Sequence, residues 1–206
     1  MLQPIGTDRL PRRLLQLYAG LVLYGVSMAL MVRSSLGVMP WDVLHQGLSR
    51  QLGWSLGVVT MVVGAAVLLA WVPLRERPGL GTLSNIVVIG LAVDGALAVI
   101  PVPAGLVGRV VFGMLGIVLN GVATAAYIGV RLGPGPRDGL MTGLVRRTGG
   151  SVRLVRTAIE VTVVATGWLL GGTLGVVTLL YAVTIGPLVH VLLPRLEIAP
   201  PERARR

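Results

Sequence analysis

Six apolar runs of about 20 residues each dominate the sequence and constrain its fold more than any other feature. A transmembrane helix needs about 20 mostly apolar residues to cross a hydrocarbon core about 30 Å thick. The runs therefore predict an all-α integral membrane protein with six transmembrane helices, at approximately 14–32, 54–73, 80–100, 106–130, 152–171 and 174–193.

Composition supports the same class of protein. Of the 206 residues, 54% are hydrophobic and only 13% are charged, whereas a soluble domain carries roughly 25% charged residues. The chain therefore lacks the ionic surface of a water-soluble globule. The absence of cysteine excludes disulfides, thiolate metal sites and cysteine nucleophiles.

All eighteen basic residues are arginine, and against eight acids they give a formal charge of +10. Because they lie between apolar runs, we interpret them as markers of cytoplasmic loops and expect no nucleic acid partner. Arginines at the N-terminus precede an apolar run that we interpret as an uncleaved first span rather than a cleaved signal. A cytoplasmic N-terminus assigns most arginines to inside loops and tails: Arg9, Arg12, Arg13, Arg75, Arg77, Arg131, Arg137, Arg146, Arg147, Arg195, Arg203, Arg205 and Arg206.

Only Arg33, Arg50 and Arg109 then lie on the outer side, while Arg153 and Arg156 can snorkel inward from the fifth span. The charge bias therefore predicts cytoplasmic N- and C-termini and six crossings.

The chain also contains an internal repeat. A shift of 96 positions aligns residues 16–94 with residues 112–190 without a gap, and about 25 of the 79 aligned pairs are identical. The densest match is Leu-Gly-x-x-Pro-x-Asp-x-Leu, at 36–44 and again at 132–140. We predict a single membrane domain over 1–206, with repeat 1 at about 14–100 and repeat 2 at about 106–196.

Each repeat holds three predicted crossings. Because three is odd, the two copies must lie in the membrane in opposite orientations, as a 3+3 inverted repeat. If the Pro-x-Asp segments crossed instead, each half would have four spans and the copies would be parallel. Asp42, His45 and Arg50 disfavour that alternative, since a central charge costs roughly 2.5 kcal/mol or more.

The segment 34–53 is too polar to span the membrane and predicts a short amphipathic or re-entrant helix after the first span, with an equivalent helix after the fourth. Its apolar and polar residues fall on opposite helical faces: Trp41, Leu44, Leu48 and Leu52 on one, and Asp42, His45, Gln46 and Ser49 on the other. Trp41, Trp54 and Trp71 are expected at the membrane interfaces, as an aromatic belt.

The Pro-x-Asp pairs, Pro40 with Asp42 and Pro136 with Asp138, have two interpretations. In the first, proline simply starts a helix and the carboxylate interacts with the helix N-terminus. In the second, the two segments dip into the membrane from opposite sides and bring both aspartates to a shared site, where irregular backbone is tolerated around a cavity.

Glu160, near the middle of the fifth span, is a candidate functional acid. Alternatively, it forms only a local i,i+4 pair with Arg156. Asp94 and His190 occupy equivalent repeat positions and either form part of a proton or ion path or lie near the interface. The complete candidate site for a substrate or ion comprises Pro40, Asp42, His45, Asp94, Pro136, Asp138, Arg156, Glu160 and His190.

Several motifs resemble a known family. The segment SLGVMPWDVL at 35–44, followed by GLS at 47–49, and the later pieces Gly79-x-Gly81-Thr82 and Ile89-Gly90 resemble the signature of the YczE/YitT-like bacterial integral membrane proteins. The resemblance covers nearly the whole chain and implies a multi-pass inner-membrane protein, but it supplies no substrate or catalytic residues. One departure from the repeat is Arg137, which stands where the first copy has Trp41.

We therefore expect a small secondary transporter for an unknown small molecule or ion, with its site at the repeat interface. The alternative is a membrane scaffold or regulatory protein that acts through its arginine-rich loop 131–153, as a docking face or a contact for anionic lipid. No metal-ligand cluster or activated nucleophile is visible, so we expect no enzyme, catalytic residues or cofactor. Whether the chain forms a homodimer stays open.

Overall fold

The computed structural model describes residues 9–198 and folds them into eight α-helices. Their bounds are α1 (Leu10–Ser34), α2 (Pro40–Leu52), α3 (Leu56–Leu74), α4 (Leu80–Val99), α5 (Gly105–Gly129), α6 (Pro136–Thr148), α7 (Val152–Leu169) and α8 (Val176–Leu196). Arg203, Arg205 and Arg206, which the sequence assigns to the cytoplasm, lie outside the described residues.

The prediction of an all-α membrane protein is confirmed. Five helices, α1, α3, α4, α5 and α8, are long and apolar enough to cross a membrane. The sixth predicted span, α7, is 18 residues long but differs in composition because it carries Arg153, Arg156 and Glu160.

The predicted short helix between the first two spans is also present, with a counterpart later in the chain. Helices α2 and α6 each have 13 residues and begin at a proline, Pro40 and Pro136 respectively. Proline suits this position because its fixed φ matches the helix and its missing N–H would have no intrahelical partner there.

The polar face of α2 is turned inward. Asp42, His45 and Gln46 are buried, whereas Leu52 at the end of the apolar face is exposed. Internal hydrogen bonds offset the cost of burying these polar groups. For example, the side-chain oxygen of Gln46 accepts from the backbone N–H of Thr173 at 3.0 Å. The helix is therefore packed among other helices rather than lying with its polar face towards water.

Helices α1 and α5 form the centre of the molecule and run antiparallel. The side chain of Arg13, near the start of α1, donates to the carbonyl of Val130, just after α5. Further along, the amide of Asn120 donates to Ser27 at 2.9 Å. Small residues allow this close approach, since a Cβ on Gly116 would meet Met31 at 2.6 Å.

Two hydrogen bonds tie the loops after α1 and α5 to the far half of the chain. The N–H of Val177 donates to the carbonyl of Leu36 at 3.0 Å, and the N–H of Gly81 donates to the carbonyl of Leu132 at 2.9 Å. The donors are 96 residues apart and so are the acceptors, but each bond joins opposite halves. Each half of the chain therefore makes the same contact with the other half, and we call this pair of bonds the crosswise contacts.

The glycines of both Leu-Gly motifs are required at these crossings. Gly37 and Gly133 have φ of 117° and 131°, a region that favours glycine. A Cβ on Gly37 would meet the Thr178 hydroxyl at 2.6 Å, and one on Gly133 would meet the Thr82 hydroxyl at 2.8 Å. The Leu-Gly motif of each half thus contacts a threonine in the first turn of α8 or α4 in the other half.

The aromatic-belt prediction is wrong for two of its three tryptophans. Trp71 is 2% exposed, and its indole N–H donates to the carbonyl of Pro136 at 2.9 Å. Trp41 is half-buried beneath the Arg137 guanidinium. Trp54 is exposed. The inward packing of α2 and α6 removes the first two from the surface.

Helices α3 and α4 cross closely at Gly57, where a Cβ would collide with the carbonyl of Gly90 and the carboxylate of Asp94. We expect Gly57→Ala to destabilise the protein by about 1 to 3 kcal/mol, because the backbone must shift to make room. The measurement is the thermal midpoint in detergent, followed by loss of the helical circular dichroism signal.

The matched control is Gly95→Ala in α4, where a Cβ would meet nothing within 4 Å. Since alanine is the better helix former by about 1 kcal/mol, this variant should be as stable as the parent or more so. An equal loss of stability in both variants would contradict the packing described here.

Candidate functional site

A cavity of about 430 Å³ lies at the centre of the described molecule and is lined by residues from all eight helices. Many of its lining residues come in pairs separated by 96 positions. Examples are Pro40 with Pro136, Trp41 with Arg137, His45 with Met141, Thr60 with Arg156, Gly64 with Glu160, and Asn85 with Tyr181. The cavity therefore lies where equivalent segments of the two sequence repeats meet.

The structure brings most of the candidate site residues to this cavity. Seven of the nine line it: Pro40, His45, Pro136, Asp138, Arg156, Glu160 and His190. Asp42 lies directly behind its wall, in contact with His45. Asp94 is elsewhere and does not line it.

Asp42 reaches the cavity through His45. The carboxylate is 0% exposed, and its Oδ1 lies 3.0 Å from His45 Nδ1. The same nitrogen lies 3.3 Å from the hydroxyl of Thr60. Burial lowers the pKa of His45 and favours the neutral ring. The other Asp42 oxygen, Oδ2, has no hydrogen-bond partner within residues 9–198.

Asp138, the equivalent residue in α6, faces the cavity itself. It accepts a hydrogen bond from the Tyr127 hydroxyl at 3.2 Å. Burial raises the pKa of Asp138, and the Tyr127 hydrogen bond opposes that shift. The two aspartates thus have different surroundings despite their equivalent sequence positions.

Arg137, which the sequence assigns to the cytoplasmic segment between the fourth and fifth spans, also lines the cavity. It is the second residue of α6. Its guanidinium stacks 4.9 Å above the ring of Trp41, its own repeat equivalent. A guanidinium over an aromatic ring is attractive. The departure from the repeat at this position is visible in the sequence, but it does not by itself predict the contact.

Glu160 pairs with Arg156 and also lines the cavity. Its Oε1 lies 2.9 Å from Arg156 Nε, so the predicted i,i+4 pair is confirmed. Both side chains also line the cavity. The pair therefore places one positive and one negative charge on the cavity wall while the two charges largely satisfy each other.

Asp94 and His190 do not share a site. Asp94 accepts hydrogen bonds from the hydroxyl of Ser55 at 2.5 Å and from the N–H of Gly57 at 2.7 Å. These donors belong to the start of α3, so Asp94 caps that helix. His190, in contrast, lines the cavity.

Sequence reasoning missed three tyrosines of the cavity wall, Tyr24, Tyr127 and Tyr181. The rings of Tyr24 and Tyr127 contact each other edge to face, with centroids 6.2 Å apart. The hydroxyl of Tyr181 donates to the side chain of Asn120 at 2.8 Å. Single tyrosines in apolar runs have no periodicity that could have indicated this placement.

Comparison with known proteins identifies the family of this chain. Residues 11–194 match a family of unknown function, DUF6198. The chain belongs to this family. No solved structure matches it.

Three bacterial relatives of this DUF6198 member are similar over most of their length. An uncharacterised protein of Haemophilus influenzae is 42% identical over 84% of this chain and 79% of its own. The uncharacterised membrane protein YczE of Bacillus subtilis is 32% identical over 86% and 84%, and the uncharacterised protein YyaS of Bacillus subtilis is 26% identical over 86% and 90%. The resemblance to YczE is thus confirmed, and the chain is a membrane protein.

The capping role of Asp94 predicts a loss of stability without a role in the cavity. We expect Asp94→Asn to lower the free energy of unfolding by about 1 to 3 kcal/mol, because a charged acceptor of two hydrogen bonds is lost. His190→Asn is the matched control, since His190 is exposed. Thermal midpoints in detergent that fall equally for both variants would contradict this assignment.

Proposed function

We propose that this protein is a small secondary transporter of the bacterial inner membrane, with six crossings and its substrate site in the central cavity. The observation that carries the proposal is that the cavity is lined by equivalent positions of the two repeats and extends towards only one end of the molecule. Transporters built from inverted repeats bind substrate at the repeat interface, near the middle of the bilayer.

The crosswise contacts support an inverted repeat. If each residue is replaced by its equivalent in the other repeat, the bond from Val177 to Leu36 becomes the bond from Gly81 to Leu132, and the reverse. Such an exchange is what a two-fold axis between the repeats produces. The antiparallel packing of α1 on α5, the first helix of each repeat, gives the two copies opposite orientations.

Helix α7 serves as the sixth crossing in this proposal. Its 18 residues span about 27 Å at 1.5 Å per residue, close to the hydrocarbon thickness. Its repeat equivalent, α3, is apolar throughout. The Arg156–Glu160 pair faces the cavity, which reduces the cost of its charges, and Arg153 lies in the first turn.

The one-sided opening supports alternating access. The cavity extends past Thr124 in α5 and Val189 in α8, towards the ends of both helices. Their repeat equivalents, Met28 and Val93, are fully buried in the apolar core. Exchanging the packing of the two repeats would close the first pair and open the second, which is how one site could face each side in turn.

The open end is the arginine-rich one. The Arg13 side chain joins the start of α1 to the end of α5 there, and Gln16 donates to the carbonyl of Leu196 at the end of α8. By the positive-inside rule this end faces the cytoplasm. The proposed state therefore has a cavity open inward, with cytoplasmic N- and C-termini.

A negative result for transport in the cysteine-labelling experiments would favour the scaffold alternative. Two arginines of its proposed docking loop have partners within the chain: Arg146 donates to the carbonyl of Leu74 at 2.6 Å, and Arg147 donates to that of Pro73 at 3.0 Å. These contacts fasten α6 to the end of α3 and explain both arginines without an external partner.

The inverted orientation predicts the sides from which two positions can be labelled, one in the loop after α1 and one in α6. Ser35 and Thr142 are exposed, and the chain has no cysteine to interfere. We expect Ser35→Cys to react with a membrane-impermeant maleimide only from the periplasmic side and Thr142→Cys only from the cytoplasmic side. Labelling of both from one side would remove the inverted repeat and, with it, the basis for transport.

Alternating access predicts that Met28 is exposed part of the time. In membrane vesicles, Thr124→Cys should react with an impermeant reagent from the cytoplasmic side. Met28→Cys should react from the opposite side about 10 to 1,000 times more slowly, because the minor state of a two-state protein is commonly populated at about 0.1–10%.

Leu17→Cys is the matched control, because Leu17 is fully buried in the same helix and does not line the cavity. It should react from neither side. A protein in which Met28→Cys is as unreactive as Leu17→Cys would be static, and the scaffold alternative would then replace the transport proposal.

A further inference from the structure

The polar contacts of Arg137 in the central cavity are all long. Its side chain is 27% exposed, and a guanidinium carries five N–H donors. Its polar contacts are the sulfur of Met39 at 3.9 Å and Oδ1 of Asp42 at 3.8 Å, besides the ring of Trp41. Within the described part of the chain, no oxygen accepts a hydrogen bond from it.

The carboxylates around the cavity, in contrast, have partners. Asp138 accepts from the Tyr127 hydroxyl, and Glu160 pairs with Arg156. Asp42 contacts His45 through Oδ1. Its Oδ2 has no partner within residues 9–198, but the carboxylate is fully buried behind the wall, so a ligand in the cavity does not reach it. Among the charged groups of residues 9–198 that face the cavity, Arg137 is therefore the one with N–H donors that no oxygen accepts, and a ligand that completes its contacts carries an anionic acceptor.

The backbone adds to the positive potential at this point. Trp41 and Arg137 are the second residues of α2 and α6, and their stacking brings the two helix N-termini together. Each N-terminus carries about half a positive charge. Asp42 and Asp138 offset this potential, so it supports the argument from Arg137 without replacing it.

The remainder of the wall indicates the rest of the ligand. Val63, Ile89 and Ile185 supply apolar surface, and the volume of about 430 Å³ exceeds what a bare inorganic ion would fill. The planar fork of a guanidinium matches a carboxylate in bidentate geometry.

We infer that the cavity binds a small organic acid, with its carboxylate on Arg137 and its apolar body against the wall formed by Val63, Ile89 and Ile185. The inference rests on the proposed function for the premise that the cavity takes a substrate. It adds the chemical class of that substrate and the residue that recognises it.

The test measures which sign of charge the cavity prefers. Val63→Cys places a single thiol on the wall, and purified protein in detergent is treated with two methanethiosulfonates, one bearing a sulfonate and one a trimethylammonium group. With Arg137 present, the ratio of the anionic to the cationic reaction rate should be higher than it is without Arg137. Adding Arg137→Gln should lower the ratio of anionic to cationic rates on the order of tenfold, since a unit charge near the thiol is lost.

Arg153→Gln is the matched control, because it removes the same charge from an exposed residue that does not line the cavity. It should leave the ratio unchanged. In the Val63→Cys background benzoate should slow modification by the anionic reagent, whereas benzylammonium should not. Arg137→Lys keeps the positive charge but loses the planar guanidinium, so it should retain the ratio of anionic to cationic rates and weaken the protection by benzoate. If Arg137→Gln does not fold, Arg137→Lys takes its place as the test variant.

The outcomes separate this inference from the transport proposal. A thiol at position 63 that reacts with neither reagent would show a cavity without water access, and both proposals would fall. If the thiol reacts with both but the rate ratio ignores Arg137→Gln, or if benzoate gives no protection or benzylammonium protects as well, only the organic-acid inference is overturned.

Discussion

The architecture depends on the crosswise docking of two loops. Leu36 and Leu132, each followed by a glycine with positive φ, accept hydrogen bonds from the first turns of α8 and α4 respectively. These bonds fix the position of the backbone a few residues before α2 and α6 begin. The two short helices begin at Pro40 and Pro136, and both prolines line the central cavity.

The short helices also explain how a largely apolar chain places polar side chains in its interior. Asp42, His45 and Gln46 lie on the buried face of α2 and have internal partners. Buried polar groups are tolerated when they are hydrogen-bonded. The surrounding long helices present apolar side chains outward, as at Leu69 and Val183, and so isolate this polar interior from the lipid.

Prediction from sequence succeeded where a local signal was available. Apolar length marked the long helices, Pro40 and Pro136 marked the starts of the short ones, and spacing paired Arg156 with Glu160. It failed where placement depended on distant segments. No residue close to Trp71 in the sequence indicates its hydrogen bond to Pro136, which lies 65 residues later. Likewise, no residue close to Asp94 indicates that it caps α3.

The sequence by itself determined that the chain is an all-α membrane protein with two similar halves, because hydrophobic length and a fixed 96-residue shift are properties of the chain order alone. Only the tertiary structure decided which side chains face the cavity. Equivalent residues such as Trp41 and Arg137 meet there, while Asp42 and Asp138 acquire different partners. The physical reason is that a contact between halves depends on how the helices pack across the interface, and packing leaves no periodic trace in either half.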